Sequence, residues 1–406
     1  MDALTTPSNW QKVRLGDIAE IIGGGTPSTQ VTSFWNGSIN WFTPTEIGIT
    51  KYVYKSQRTI TPLGLKKSSA KLLPIGTILL TSRASIGDCA ILKVAATTNQ
   101  GFQSLIPLEK INNEFLYYLM LTLKNKLLKL ASGSTFLEVS PNKIKNLLIL
   151  LPPLNEQIAI ANILSDMDRY LYSLDALILK KESVKKALSF ELLSQRKRLK
   201  GFNQAWQRVR LGDIGITISG LVGKTKQDFI NGNAKYITFL NVLNNVIIDT
   251  SILENVKIYP NEKQNSFKKY DLFFNTSSEI PKEVGMCAVL LDDIDQVFLN
   301  SFCFGFRIFD KAVDSLFLSY LINSEIGRKA FENLAQGSTR YNLSKSGFNN
   351  VCLFLPPLNE QIAIANILSG LDSEIISLKN KKRQFENIKK ALNHDLMSAK
   401  IRVLKK

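Results

Sequence analysis

The sequence predicts a mixed α/β (α+β) chain in which one architecture occurs twice: a globular domain followed by a long helix. Three observations support this fold class. Blocks of sequence recur about 200 residues apart, β-like runs precede a helical segment in each half, and an apolar repeat of seven residues follows a Pro-Pro pair in each half. The chain has 406 residues, which is enough for two domains with separate cores.

The internal duplication is the strongest of these signals. The block Trp-Gln-Lys-Val-Arg-Leu-Gly-Asp-Ile at residues 10–18 returns at 206–214 with one substitution, a shift of 196. Residues 151–165 return without any change at 355–369, a shift of 204, and residues 131–135 are echoed at 335–339. Fifteen consecutive identities cannot arise by chance. We therefore expect two halves related by a pseudo-twofold internal repeat.

Each half is predicted to begin with short strands and to continue into a helix. The β-like runs are bounded by Gly, Pro, Asn and Ser, as strands usually are. They are residues 39–42, 77–81, 89–92 and 102–106 in the first half, and 236–240, 272–275, 287–291 and 303–308 in the second. The helical segments are 113–130 and 315–334, and the strand-like runs 147–151 and 351–355 follow them.

A Pro-Pro pair closes each of these domains. Two consecutive prolines cannot lie in a central strand or inside a helix, so they mark a boundary. Beyond each pair, Asn155 and Asn359 are suited to cap a helix. The predicted organisation is a first domain at 1–150, a helix at 151–200, a second domain at 201–354 and a C-terminal helix at 355–406.

The two helices carry a coiled-coil seam. Apolar residues alternate at spacings of four and three, which is the 3.5-residue period that requires a partner helix, and the matching helix of the other half is the obvious partner. The seam residues are Ile160, Leu164, Met167, Leu171, Leu174, Ile178, Ile364, Leu368, Leu371, Ile375 and Leu378. Lysines are predicted on the outer face, some of them interrupting the seam: Lys180, Lys181, Lys185, Lys186, Lys381, Lys382, Lys389 and Lys390.

The charge of the chain favours a polyanionic partner. Lys and Arg number 51 against 34 Asp and Glu, a net charge of +17. Contacts between cations and phosphates release counterions and draw a complex together. The excess is +8 in residues 1–150 and only +1 in residues 201–354. The alternative is that the basic charge serves solubility or reflects a basic proteome.

The sequence indicates a cytoplasmic protein. It has no apolar run of 18 residues and no signal peptide at its start. Its four cysteines are scattered through the chain, which argues against both a disulfide framework and a zinc site.

Catalytic motifs are scarce. His394 is the only histidine and falls on a predicted helix. The segment at residues 220–225 resembles a phosphate-binding loop, but Ile218 occupies the position where that motif requires glycine. We therefore expect a binding protein that carries no catalytic residues and no metal site.

With these features the chain resembles a type I restriction-modification specificity subunit over essentially its whole length. The duplicated Trp-Gln-x-Val-Arg-Leu-Gly-Asp-Ile and Leu-Pro-Pro-Leu-Asn-Glu-Gln blocks carry the resemblance. It implies two target-recognition domains that read a bipartite site in double-stranded DNA, held by two antiparallel helices. It also implies docking of two methyltransferase subunits, with a restriction subunit as an optional further partner. S-adenosylmethionine, ATP and Mg²⁺ would then belong to the partners, and this chain would bind no cofactor.

Candidate DNA contacts are basic and small polar residues in loops. Lys and Arg neutralise phosphates, and Arg can also read guanine through two hydrogen bonds. The candidates are Gly24, Thr26, Lys51, Arg58, Lys66, Lys67, Ser82 and Arg83 in the first domain, and Lys224, Lys226, Lys263, Lys268, Lys269, Ser278 and Arg340 in the second. We expect Trp10 and Trp206 to be packing residues.

Two other functions remain open at the level of sequence. A stand-alone DNA-acting enzyme of unrecognised type would act on DNA without added subunits. A coiled-coil interaction protein with incidental basic charge would not bind DNA even beside a methyltransferase subunit.

Overall fold

The computed structural model describes residues 7, 9–132, 137–331, 334, 337 and 339–403. The repeated block at 131–135 and 335–339 lies partly outside the described residues. The chain folds as two compact units. The first unit comprises Met1–Asp175 with Asn380–Lys406, and the second comprises Ala176–Lys379. Each unit therefore combines one globular domain with the first half of its own long helix and the last half of the other.

The described residues of the first unit form three sheets. Their strand orders are β2-β9-β6-β7-β4, β5-β3-β8 and β1-β10. The strands are β1 (Gln11–Arg14), β2 (Ala19–Gly23), β3 (Trp35–Phe42), β4 (Tyr52–Val53), β5 (Arg58–Ile60), β6 (Ile78–Leu80), β7 (Cys89–Leu92), β8 (Ala96–Thr98), β9 (Gln103–Pro107) and β10 (Leu148–Leu151). All four predicted strands of the first domain are present, with ends shifted by a few residues.

Helix packing closes the core of this unit. The helices are α1 (Pro62–Lys66), α2 (Asn113–Leu130), α3 (Pro141–Lys145) and the long α4 (Leu154–Leu193). Helix α2 has the predicted bounds because Asn112 caps it, accepting a hydrogen bond from the backbone N–H of Phe115. Phe115 and Leu164 meet in one buried cluster, so α2 and α4 share a core. Trp10 lies in the same cluster, which confirms its predicted packing role.

The second unit repeats this design. Its sheet orders are β12-β19-β15-β17, β14-β13-β18, β11-β21 and β16-β20. The strands are β11 (Gln207–Arg210), β12 (Gly215–Ser219), β13 (Ala234–Ile237), β14 (Glu254–Val256), β15 (Leu272–Asn275), β16 (Ser277–Ser278), β17 (Cys287–Val289), β18 (Val297–Leu299), β19 (Cys303–Ile308), β20 (Tyr341–Asn342) and β21 (Cys352–Leu355). The helices are α5 (Leu211–Ile214), α6 (Phe239–Asn244), α7 (Ser315–Asn323), α8 (Glu325–Phe331), α9 (Lys345–Asn349) and α10 (Leu358–Met397).

Two predictions for this unit were wrong in detail. The strand predicted at 236–240 ends at Ile237, because the Thr238 side chain accepts a hydrogen bond from the Asn241 N–H and starts α6. The helix predicted at 315–334 is interrupted at Ser324, which has extended backbone and separates α7 from α8.

The duplication of sequence is a duplication of topology. In the first unit β3 pairs antiparallel with β5 and parallel with β8. In the second unit β13 pairs antiparallel with β14 and parallel with β18. The larger sheets match in the same way, β2-β9-β6-β7 against β12-β19-β15-β17. The predicted internal repeat is therefore present in the fold.

Within each unit the two long helices run antiparallel. Ion pairs between the helices show this direction. From one ion pair to the next, the residue number increases along one helix and decreases along the other. These pairs are Lys382–Asp175 and Lys389–Asp168 in the first unit, and Lys181–Glu374 and Lys185–Asp372 in the second. The predicted position on an outer face is therefore wrong for these four lysines, whose ammonium groups reach carboxylates of the facing helix.

The predicted seam lies inside these helix pairs. Ile160, Leu164, Ile364 and Leu368 are fully buried, and the remaining seven seam residues are buried or half-buried. The most buried seam residues lie near the start of each long helix, where the helix packs against its own globular domain.

Candidate nucleic-acid interface

The Gly-rich turn of the first unit fits closely against two neighbouring loops. It follows β2, and a Cβ atom on Gly24 would lie 1.9 Å from the carbonyl oxygen of Asn99. The N–H of Gly25 donates to the carbonyl of Thr98 at 2.8 Å. The Thr26 hydroxyl donates to Gln100 at 2.5 Å. Glycine is therefore required for the close approach of the two backbones.

A pair of tryptophans holds this turn from the other side. The indole N–H of Trp41 donates to the carbonyl of Gly25 at 2.9 Å, and that of Trp35 donates to the carbonyl of Ser28 at 3.0 Å. The guanidinium of Arg58 lies over the Trp35 ring, with Cζ 3.8 Å from its centroid. The exposed Lys66 and Lys67 lie at the end of the neighbouring α1. The fold thus brings five of the candidate DNA-contacting residues close to one group of loops.

Ser82 and Arg83 join the same group of loops. The N–H of Ser82 donates to the carbonyl of Gly101 at 2.7 Å, next to the Asn99 that packs on the Gly-rich turn. Its hydroxyl is buried and has no hydrogen-bond partner among the described residues. Arg83 is half-exposed and pairs with Glu138 at 3.1 Å. Seven of the eight residues predicted in the first domain therefore lie around these loops.

Lys51 is the exception. Its side chain is only 11% exposed, and its ammonium group forms an ion pair with Glu114. It also donates to the hydroxyls of Tyr118 and Ser165 at 2.8 Å each. Burial lowers its pKa, while Glu114 opposes the shift. The structure therefore gives Lys51 a role inside the unit, where it joins its loop to α2 and α4.

Lys51→Met should show whether Lys51 stabilises the unit or contacts a DNA phosphate. The substitution removes the ammonium group and leaves the Glu114 carboxylate without its cation. We expect a loss of about 1–3 kcal/mol in the free energy of unfolding, measured by denaturant titration. The salt dependence of DNA binding should stay unchanged, whereas Lys66→Ala should reduce its slope by about one. An equal reduction for both variants would restore Lys51 as a phosphate contact.

In the second unit four of the predicted lysines are exposed. They are Lys226, Lys263, Lys268 and Lys269. Arg340 is also exposed, and its guanidinium lies 5.5 Å from the ring centroid of the exposed Phe302. These exposed cations are accessible to a polyanionic ligand.

Lys224 and Ser278 are held within the unit. The Lys224 side chain is 5% exposed, forms an ion pair with Glu262 and donates to the carbonyl of Lys257 at 2.6 Å. Hydrogen bonding to Lys224, then to Gln264 and to the N–H of Tyr259, lowers the pKa of Glu262 to about 2. The Ser278 hydroxyl donates to Glu283 at 2.8 Å. Both residues therefore shape their loops, and neither offers its side chain freely to a ligand.

The loop framework of the first unit recurs in the second. A Cβ atom on Gly220 would lie 2.3 Å from the carbonyl oxygen of Asn300, just as Gly24 meets Asn99. The side chains of Asn99 and Asn300 each accept a hydrogen bond from the N–H two residues later. The same turn-on-turn packing is therefore present at the same end of both domains, although their sequences differ there.

Several important residues lay outside the sequence prediction. The buried Glu156 of α4 accepts hydrogen bonds from Trp10 and from Arg402. At the equivalent position of α10, the buried Glu360 pairs with Arg198. The shift of 204 relates Arg198 to Arg402 as it relates the two glutamates, a signal that the sequence repeat already contained.

Exposed apolar side chains on the long helices are also duplicated. Ile158 and Ile362 are 42% and 41% exposed, and Val184 and Ile388 are 39% and 44% exposed. Each pair is related by the shift of 204. Grooves with matching lining lie beside the helices, one of about 540 Å³ that includes Lys185 and Lys186, and one of about 780 Å³ that includes Lys389 and Lys390. The helices thus present one surface twice.

The described residues contain no group of His, Cys, Asp and Glu side chains placed to hold a metal ion. Within the same residues, no helix is both long and apolar enough to span a membrane. All four cysteines carry free thiols.

Comparison with known proteins identifies the same repeat. The model of the type I restriction modification DNA specificity domain matches twice, at residues 7–181 and 203–387. The MjaIX specificity subunit of Methanocaldococcus jannaschii is 31% identical over 298 residues, 68% of each chain. The MjaVIII specificity subunit of the same organism is 27% identical over 426 aligned positions, covering 99% of this chain and 95% of the relative.

A solved structure shares the fold. The S subunit of a type I restriction-modification system from M. genitalium superposes with a TM-score of 0.60 at 18% identity, covering 97% of each chain. The twofold match of the domain model, the similarity to curated specificity subunits and the duplicated fold agree, and the chain belongs to the family of type I restriction-modification specificity subunits.

Proposed function

We propose that this chain reads a bipartite double-stranded DNA site with its two globular domains and docks two methyltransferase subunits on its two helices. The observation that carries the proposal is the duplication itself: one loop framework and one helix surface each occur twice in a single chain. One chain with pseudo-twofold symmetry offers two similar sites to two identical partners, as a homodimer would.

The reading role rests on the loops around the Gly-rich turn. In the first unit, Arg58 on β5, Lys66 and Lys67 at the end of α1, and Arg83 lie around loops that are fixed by backbone hydrogen bonds and tryptophan packing. Such cations neutralise phosphates, and rigidly held arginines can also contact base edges. Lys51 and Lys224 are left out of the proposed DNA surface because their ammonium groups are buried in ion pairs.

The docking role rests on the duplicated helix surface. Ile158 and Ile362, with Val184 and Ile388, leave partly exposed apolar side chains at matching positions on both helices. The adjoining grooves add lysines at matching positions. If one type of partner binds this surface, two copies of that partner can bind the two equivalent helix surfaces. This stoichiometry fits two methyltransferase subunits. A restriction subunit would join the assembly through these partners.

We assign the chemistry to the partners. S-adenosylmethionine would bind the methyltransferase subunits, ATP and Mg²⁺ would serve the restriction subunit, and this chain would contribute recognition without a catalytic residue or cofactor. The same role implies a cytoplasmic location.

Co-expression with a methyltransferase subunit tests the proposal. The expected complex contains one copy of this chain and two of the partner, and it methylates a motif made of two short specified parts with an unspecified spacer. Mass measurement by light scattering gives the stoichiometry, and sequencing of methylated genomic DNA gives the motif. An active 1:1 complex would contradict the two docking sites, and DNA modification by the chain alone would favour the stand-alone enzyme.

A further inference from the structure

An aromatic pair faces one charged side chain at the same place in both units. In the first unit, the rings of Trp35 and Trp41 lie 5.0 Å apart at 88°. Trp41 on β3 is directly opposite Arg58 on the edge strand β5. The guanidinium carbon of Arg58 is 3.8 Å from the Trp35 centroid and 5.4 Å from that of Trp41. The guanidinium therefore lies over the Trp35 ring, and Arg58 is exposed.

The second unit places a carboxylate at this position. The rings of Phe229 and Tyr236 lie 5.0 Å apart at 58°. Tyr236 on β13 is directly opposite Glu254 on the edge strand β14. The Tyr236 hydroxyl donates to Glu254 at 2.8 Å. Burial, and then this hydrogen bond, raise the pKa of the Tyr236 phenol.

The two positions are equivalent in topology. Strands β3 and β13 are each the middle strand of a three-stranded sheet, with an antiparallel edge strand on one side and a parallel strand on the other. Arg58 and Glu254 both lie on the antiparallel edge strand, opposite the aromatic residue of the middle strand. The arrangement of strands and aromatic side chains is thus the same in both units, but the charged side chain is a cation in the first and an anion in the second.

Both side chains retain hydrogen-bonding capacity. Arg58 is exposed and pairs with no carboxylate among the described residues, so that its N–H donors remain available to a ligand. Glu254 is exposed as well, and a carboxylate has acceptor sites beyond the single bond from Tyr236. Contact with an aromatic side chain limits the freedom of Arg58 and of Glu254 before any ligand arrives, which reduces the entropy lost on binding.

We propose that this cross-strand position is the base-reading position of each domain, with Arg58 binding a guanine and Glu254 binding the amino group of a cytosine. The inference rests on the proposed DNA-reading function and assigns residues to it. Guanine offers two acceptors, O6 and N7, to a planar arginine, and cytosine offers the N4 donor to a carboxylate. A carboxylate beside DNA is repelled by phosphates and is favourable only where it meets such a donor.

The test uses the complex with its methyltransferase subunits and the motif that the unaltered complex methylates. Arg58→Lys keeps the charge but loses the planar pair of donors. We expect one specified G·C pair in one half-site to become degenerate, with discrimination at that pair falling about 5- to 150-fold. The other half-site should be unchanged. Glu254→Gln should relax one pair in the opposite half-site and leave the first intact.

Lys66→Ala is the matched control, because Lys66 is an exposed cation at the end of α1 that has no ring contact among the described residues. It should weaken binding to every duplex alike and reduce the salt slope by about one. Thermal melting of each variant checks whether the fold is intact. If Arg58→Ala behaves like Lys66→Ala, or if the motif survives Arg58→Lys and Glu254→Gln unchanged, the base-reading assignment is overturned. If the unaltered complex produces no bipartite motif, the proposed function itself has failed.

Discussion

Leu164→Glu in the first long helix, and Leu368→Glu at the equivalent position of the second, are each expected to destabilise the chain strongly and to abolish binding of methyltransferase subunits. Both leucines are fully buried, Leu164 in the core of the first unit and Leu368 in that of the second. Loss of leucine packing costs about 2–5 kcal/mol, and an unpaired buried carboxylate adds to that loss. Thermal melting and light scattering of the co-expressed complex measure both effects.

Asn162→Glu and Asn366→Glu are the matched controls. Each asparagine is exposed, two residues before the corresponding leucine on the same helix. A new surface carboxylate should change the free energy of unfolding by no more than about 0.5 kcal/mol, so that the large loss of stability is specific to the buried leucines. A fully active complex carrying Leu164→Glu would show that the buried seam is not required for assembly.

A heptad inserted after Leu174 and another after Leu378 should lengthen the unspecified spacer of the DNA site. Seven residues preserve the phase of the apolar seam and add about 10 Å of helix. With about 3.4 Å of rise per base pair, the domains could move apart by up to about 3 base pairs. Rotation around the duplex reduces the usable gain. The methylated motif, read by sequencing, should keep both half-sites and show a longer spacer.

Insertion of two residues at the same places is the control for the ruler. Two residues rotate the following part of each helix by about 200°, which turns its apolar side away from the partner. This variant should lose assembly, whereas the heptad variant should keep it. Full activity of the heptad variant with an unchanged spacer would mean that something other than these helices sets the distance between half-sites.

The sequence predicted best what depends on local spacing. The bounds of α2 agree with prediction because Asn112 provides a cap and the apolar period is helical. The long helices were foreseen from the apolar seam and the prolines, since Leu154–Leu193 and Leu358–Met397 both begin directly after a Pro-Pro pair. The predicted caps were wrong, because Asn155 and Asn359 lie inside the first turn and, within the described part of the chain, each accepts a hydrogen bond only from the next residue's N–H. Period, cap and proline are all visible within a few residues of the element that they define.

Side-chain roles that depend on distant partners were harder to predict. Lys51 and Lys66 have the same charge in the sequence, yet Lys51 pairs with Glu114, 63 positions away, and Lys66 is exposed. Glu254 was missed because the candidates were sought among cations and small polar residues. A signal was available, since Trp35 and Trp41 in the first half correspond to the aromatic Phe229 and Tyr236 in the second.

The separate reading of two half-sites is the central claim, and a domain exchange tests it most directly. Residues 1–145 are replaced by the equivalent domain of a relative with a different target, and the methylated motif is read by sequencing genomic DNA from cells that also carry the methyltransferase subunit. Because each unit has its own core and its own loop framework, we expect one half of the motif to become that of the relative and the other half to stay the same. A change in both halves, or in neither, would contradict the account.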